Sequence, residues 1–203
     1  MNTRFSPLSE FTTPQQRFGA SDRLDCWLEE QAFLAHFNLR GDPQHSDFLE
    51  VLDEQIGLRL PLVANTVSVS QQWRSCWLGP DEWLLLGPKS KELPETLMAG
   101  LNGMHYSLVD LSGGQTVIRI GGPAWRDVLG SACTLDLHPR AFEAGRCAQT
   151  VLAHSNVLLI HVDADERGEA LDIVVRRSFA DHLLRWLIDA AMEVGFELHR
   201  PRT

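Results

Sequence analysis

Apolar and polar positions change period several times along the 203-residue chain, and each change marks an element. Residues 24–37 are ambiguous. Leu24, Trp27, Leu28 and Gln31 fit a helical turn, whereas Phe33, Ala35, Phe37 and Leu39 alternate as in a strand. Gly41-Asp42-Pro43 interrupts the pattern. Asp42 suits an N-cap and Pro43 the first helical position, so a helix is predicted next. Phe48, Leu49, Leu52 and Ile56 form its apolar face, and Gly57 is its left-handed stop. Thr66–Ser70 alternates as a strand. Trp73–Trp77 and Trp83–Leu86 flank the turn Gly79-Pro80-Asp81-Glu82, a hairpin pattern. Leu93, Leu97, Met98 and Leu101 predict a short helix ending near Gly103.

The same order then returns. Leu108–Leu111 and Thr116–Ile120 read as strands around the turn Ser112-Gly113-Gly114. Gly121-Gly122-Pro123 opens a helix with Ala124, Trp125, Val128 and Leu129 inward, stopped by Gly130. Strands follow at Gln149–Ala153, Val157–Val162 and around Leu171, Ile173 and Val175. In the last helix Phe179, Leu183, Leu187, Ala190 and Val194 make one stripe with Leu184 and Ala191 beside it, and Ser178 and Asp181 are a capping pair. Pro43 and Pro123 are 80 residues apart, and Pro61 and Pro139 are 78 apart. This spacing predicts two pseudo-repeated strand-helix-strand-strand-helix units, about 36–103 and 108–195, within one domain over 23–203. The fold class is α+β, with helices packed on an antiparallel or mixed sheet.

Residues 1–22 are polar and carry Pro7, Pro14 and Gly19, so they read as an extended arm. The arm is either a free tail or a segment that docks Phe5, Phe11 and Phe18 on a partner. Its first residues lack the apolar core of a secretory signal. No apolar run approaches the roughly 20 residues needed to span a bilayer. Cys26, Cys76, Cys133 and Cys147 are irregularly spaced and form no C-x-x-C pair. They read as free, buried thiols of a cytoplasmic protein. The formal net charge of −9 disfavours nucleic acid as the main partner.

Few residues fit known chemistry. There is no phosphate-binding loop, no G-x-G-x-x-G, no nucleophile elbow and no H-E-x-x-H. The eight histidines show no metal-ligand spacing, so no metal site is predicted. Asp163, Asp165 and Glu166 read as a solvated turn rather than a calcium loop. Arg176-Arg177 reads as a solvated charge pair. Six tryptophans suit a core, and an excess of Trp and Phe also suits a subunit interface. No catalytic residue emerges.

The second half is specific in detail. Leu108-Val109-Asp110-Leu111-Ser112-Gly113-Gly114 precedes Ile118-Arg119-Ile120-Gly121-Gly122-Pro123, then Leu135-Asp136-Leu137-His138-Pro139 and Val174-Val175-Arg176-Arg177-Ser178-Phe179-Ala180-Asp181. With Asn38-Leu39-Arg40-Gly41-Asp42-Pro43 and Trp77-Leu78-Gly79-Pro80-Asp81-Glu82-Trp83-Leu84 upstream, this string resembles the gamma subunit of heterotetrameric sarcosine oxidase over about residues 36–195. The resemblance implies a fold similar to the folate-binding module of the aminomethyltransferases. It also implies alpha, beta and delta partner chains. FAD, FMN and NAD are then held by alpha and beta, zinc by delta, and tetrahydrofolate chemistry is done on alpha. This chain is expected to be accessory and non-catalytic, with no cofactor of its own. The alternative is a folate-binding one-carbon transferase. For that, Asp110 is the candidate for the pterin and Arg119 for the folate tail, although Asp110 also suits a structural cap of its turn.

Overall fold

The computed structural model describes residues 5–11, 16–18, 24–70, 72–89 and 93–199. In chain order the strands and helices begin with β1 (Gln16–Phe18), β2 (Cys26–Gln31), β3 (Ala35–Gly41) and α1 (Ser46–Ile56). Next come β4 (Val67–Val69), β5 (Arg74–Gly79), β6 (Glu82–Gly87), α2 (Leu93–Gly100) and β7 (Tyr106–Asp110). The rest are β8 (Gln115–Gly121), α3 (Trp125–Gly130), β9 (Cys147–Leu152), β10 (Ser155–Asp165), β11 (Gly168–Arg176), α4 (Arg177–Ala191) and β12 (Phe196–Leu198). The fold is mixed α+β, with two sheets and four α-helices among the described residues.

The chain divides into two compact units. Residues 33–113 with Gly145–Cys147 form one, and the segments 1–32, 114–144 and 148–203 form the other. The first unit holds a five-stranded sheet in the order β4-β5-β6-β3-β7, antiparallel throughout. The second holds a seven-stranded sheet in the order β1-β12-β2-β8-β11-β10-β9. There β12 runs parallel to β2, which makes the sheet mixed. From β3 to β7, and again from β8 to β12, the order is strand, helix, three strands, helix, strand. Each sheet also contains the same run, β4-β5-β6-β3 in one and β9-β10-β11-β8 in the other.

Each unit buries one sheet face under its own helices. In the five-stranded unit, Phe48, Leu52 and Leu97 pack on Phe37, Leu39 and Leu85. Trp83 is fully buried there and donates its indole N–H to the Pro61 carbonyl at 2.8 Å. In the seven-stranded unit, Trp125, Leu183 and Leu187 pack on Ile118, Leu159 and Ile173. The β-branched run of β8 suits a strand paired on both sides. Gly121 and Gly122 are required by close approach. A Cβ on Gly121 would overlap the Trp27 ring. Gly122 has φ +97, and a Cβ there would lie 2.6 Å from the Asp25 carbonyl oxygen.

Several predicted boundaries shift. Residues 26–31 form a strand, not a helical turn, because pairing with β8 and β12 buries both faces of β2. Phe33 leaves the alternating face; it turns the chain at φ 61 and is exposed. Asp42 caps a turn rather than the helix, accepting the Gln44 N–H at 2.9 Å, and α1 starts at Ser46. Gly57 ends α1 in the left-handed conformation, φ 60. α4 starts one residue before Ser178, with no side-chain cap. The Arg177 N–H is instead satisfied by the Gly114 carbonyl at 2.9 Å. Leu183, Leu184, Leu187 and Ala191 are buried as the stripe predicts, but Ala180 joins them and Phe179 is exposed.

In the arm, Leu8 is buried in the core of the seven-stranded unit and Phe11 packs against that core. β1 pairs antiparallel with β12. Phe5 is exposed, while the Phe18 side chain and the tip before residue 5 lie outside the described residues. Among the tryptophans, 27, 73, 83 and 125 are buried and 77 and 186 are half-buried. All six therefore serve packing, and among the described residues the exposed aromatics are Phe5, Phe33 and Phe179.

Candidate functional site

The two candidate ligand residues belong to different units, Asp110 to the five-stranded one and Arg119 to the seven-stranded one. Asp110 ends β7 and is exposed. Its Oδ1 accepts the Ser112 N–H at 2.8 Å and the Ser112 hydroxyl at 2.5 Å. The Ser112 hydroxyl oxygen accepts the His36 N–H at 3.0 Å. This is the geometry of an Asx turn locking the β7–β8 connection to the start of β3.

Arg119 forms a bidentate pair with Asp172, Nε–Oδ1 2.5 Å and Nη2–Oδ2 2.9 Å. Register explains why they meet. Glu29 on β2, Arg119 on β8 and Asp172 on β11 are directly opposite one another, so all three lie on the same sheet face. Asp172 is fully buried and Arg119 is 16% exposed. Burial alone lowers the guanidinium's affinity for its proton. The Asp172 hydrogen bonds and charge more than reverse this, so Arg119 stays ionised. The row continues outward, where Arg167 donates from Nη1 to Glu29 Oε2 at 3.0 Å. The Arg167 guanidinium carbon lies 4.0 Å from the Trp27 ring centroid, and His199 stacks on the same tryptophan at 5.8 Å. On the other face of β2, Glu30 accepts the Thr116 hydroxyl at 2.7 Å and the Ser6 hydroxyl.

Two histidines are buried. His36 is in contact with the Leu34 carbonyl through Nδ1 at 3.1 Å. Desolvation by burial pushes its pKa down to about 4, so the ring is neutral at pH 7. His161 sits between Phe142 and Trp125, with Nδ1 2.9 Å from the Phe142 carbonyl. The calcium-like run lies at the β10–β11 hairpin, where Asp165 Oδ1 accepts the Arg167 N–H at 2.7 Å. Among the described residues no His/Cys/Asp/Glu cluster could hold a metal ion. A shallow cleft of 390 Å³ is lined by Leu34, Gln72, Arg74, Leu86, Gly87 and Pro88. Its described lining residues hold one cation and no carboxylate or imidazole, so among them there is no acid–base pair.

Arg119, Asp172 and Glu29 make a brace across three strands rather than an open site. Arg119 is engaged by Asp172 within the chain, and one oxygen of the exposed Asp110 is engaged by Ser112. Glu29, Glu30, His36 and Asp172 were not singled out from sequence. The available signal was an acid or imidazole inside an otherwise apolar strand, as in Leu171-Asp172-Ile173.

The fold is that of an aminomethyltransferase-like module. Aminomethyltransferase T of the glycine cleavage system from Bartonella henselae matches at TM-score 0.62 and 14% identity, covering 87% of this chain and 48% of that one. The model of the sarcosine oxidase gamma subunit family matches residues 40–193. The chain belongs to that family. It is 36% identical to a sarcosine oxidase subunit gamma from Corynebacterium sp. (strain P-1), over 84% of this chain and 82% of the relative. An Arthrobacter subunit gamma is 34% identical, over 82% of this chain and 80% of the relative. A chain of the heterotetrameric sarcosine oxidase from Corynebacterium sp. U-96 matches at TM-score 0.80 and 32% identity, covering 93% of this chain and 94% of that one.

Proposed function

We propose that this chain is the accessory, non-catalytic gamma subunit of a heterotetrameric sarcosine oxidase. In this reading the complex demethylates sarcosine to glycine, and methylenetetrahydrofolate and hydrogen peroxide are formed on other subunits. The alpha, beta and delta chains are the partners and carry FAD, FMN, NAD and zinc. The carrying observation is the near full-length match to a chain of a heterotetrameric sarcosine oxidase. The engagement of Asp110 and Arg119 within the chain supports it. The reading places the protein in the cytoplasm. No helix among the described residues is long and apolar enough to cross a membrane. The shared element order of β3–β7 and β8–β12 supports an origin by internal duplication, with β1 and β2 added to the second sheet.

The test is affinity capture of the chain from its native source. Flavin absorption and three co-eluting chains are expected; a folded, colourless chain alone overturns the reading. The likeness to aminomethyltransferase T favours a second reading, folate binding by this chain. Saturable binding of tetrahydrofolate to this chain free of alpha, lost in Asp110→Ala, would establish it.

A further inference from the structure

On the seven-stranded unit the fold joins the N-terminal arm to the pair Arg176-Arg177. Arg177 donates from Nη2 to the Phe5 carbonyl. The Ser6 hydroxyl donates to Glu30, Leu8 is buried in the core, and the Arg185 guanidinium carbon lies 4.9 Å from the Phe11 ring centroid. The arm is thus pinned at both ends of its first turn, yet the Phe5 side chain stands 66% exposed. Ordering a backbone costs conformational entropy. Leu8 offsets that cost by burial; the Phe5 ring does not, and the pins hold it outward. Arg176 and Arg177 are exposed too. Arg40, Arg119, Arg126, Arg167 and Arg185 each pair with an acid of the chain. Arg176 and Arg177 form no ion pair among the described residues. Asp181, one turn along α4 from Arg177, is held instead by Arg185 Nε at 2.9 Å. Nor do the two cations help α4, since positive charge at the start of a helix opposes its dipole.

We propose that Phe5, Arg176 and Arg177 form a docking surface that sets the Phe5 ring into an apolar pocket rimmed by carboxylates on another chain of the oxidase. The inference rests on the accessory-subunit reading. Aromatic rings and arginines are the residue types that anchor protein interfaces. The carboxylates follow from charge complementarity. Covering two guanidinium groups that lack an acid partner would leave buried charge uncompensated unless the partner supplies the anions. The Arg177 contact with the Phe5 carbonyl already holds the arm against one of the cations, so little further ordering is needed on docking. A phospholipid or nucleic-acid surface fits less well. It takes more than two cations to hold one, and the chain as a whole carries −9.

The test captures the complex through this chain and reads flavin absorbance per mole of it. Arg176→Glu and Phe5→Ala should each lower that ratio about tenfold, the loss of an interface anchor. Both side chains are exposed, so the melting temperature of this chain should stay within about a degree. Arg176→Lys, which keeps the charge, should retain most of the flavin. The photo-crosslinker p-benzoylphenylalanine in place of Phe5 should join, on irradiation, to a peptide of another subunit that carries Asp or Glu. Wild-type flavin with both Arg176→Glu and Phe5→Ala overturns the docking surface and leaves the accessory reading standing. So does cross-linking to a second copy of this chain, or to nothing. A wild-type chain that brings down no flavin overturns the accessory reading itself, and the docking surface with it.

Discussion

Asp172 is a residue whose environment forbids a free charge. It is fully buried, and both oxygens are held by Arg119. Removing one partner of such a pair leaves the other charge uncompensated, which costs about 3–5 kcal/mol. Asp172→Ala should lower stability by that order in chemical denaturation, while the double change Arg119→Met with Asp172→Leu should recover much of it. Full destabilisation in the double variant would refute the brace. His36 gives a pH dependence. Folded, it takes its proton only near pH 4; unfolded, near 6.5. Between those values the unfolded chain binds more protons. The His36 contribution is therefore full above about pH 6.5 and falls as the pH drops toward 4. The limiting slope is about 1.4 kcal/mol per pH unit. Comparing stability against pH for wild type and His36→Gln isolates this limb, and identical slopes in the two proteins would exclude it.

At the scale of elements, β2 is the strand that the period of apolar residues misplaced. It lies between β8 and β12, with Trp27 filling the space above Gly121. Gly121→Ala drives a methyl into that ring and should cost about 1–3 kcal/mol, an overpacking effect read from the denaturation midpoint. The neighbouring Gly113, with nothing near its missing Cβ, is the control and should tolerate Ala with little change. α4 shows a different rule. Its end is satisfied by a carbonyl from the β7–β8 connection, so Ser178→Ala should change stability by a few tenths of a kcal/mol, not the roughly 1 kcal/mol of a true cap.

For the whole molecule, the accessory reading is a statement about surfaces. The five-stranded unit exposes Leu62, Val63 and Val69 at and before its edge strand β4. The seven-stranded unit exposes Phe179 and Met192 at the two ends of α4. Apolar side chains left in water in this way suit contact with other chains. Val63→Asp is expected to reduce recovery of the flavin-bearing chains in affinity capture while leaving the melting temperature of this chain within about a degree, since an exposed side chain contributes little to folding. Unchanged recovery would remove this edge from the assembly surfaces.

Local patterns already determine much of this. Gly57 as a left-handed stop, the Gly79–Glu82 hairpin turn, the α4 face through Leu183 and Leu187, and the collinear string behind the family resemblance are all carried by neighbours in sequence. Period and turn chemistry depend on short-range sterics, so they survive without a fold. What only the tertiary structure decided are the long-range pairings. Strand register set Arg119 opposite Asp172, 53 residues away, and strand pairing brought Thr116, 86 residues away, diagonally beside Glu30, which lies opposite Ile118. The same is true of the division of the chain into one five-stranded and one seven-stranded unit. A buried charge is stable only if a partner arrives from elsewhere in the chain, and no local pattern specifies which one arrives.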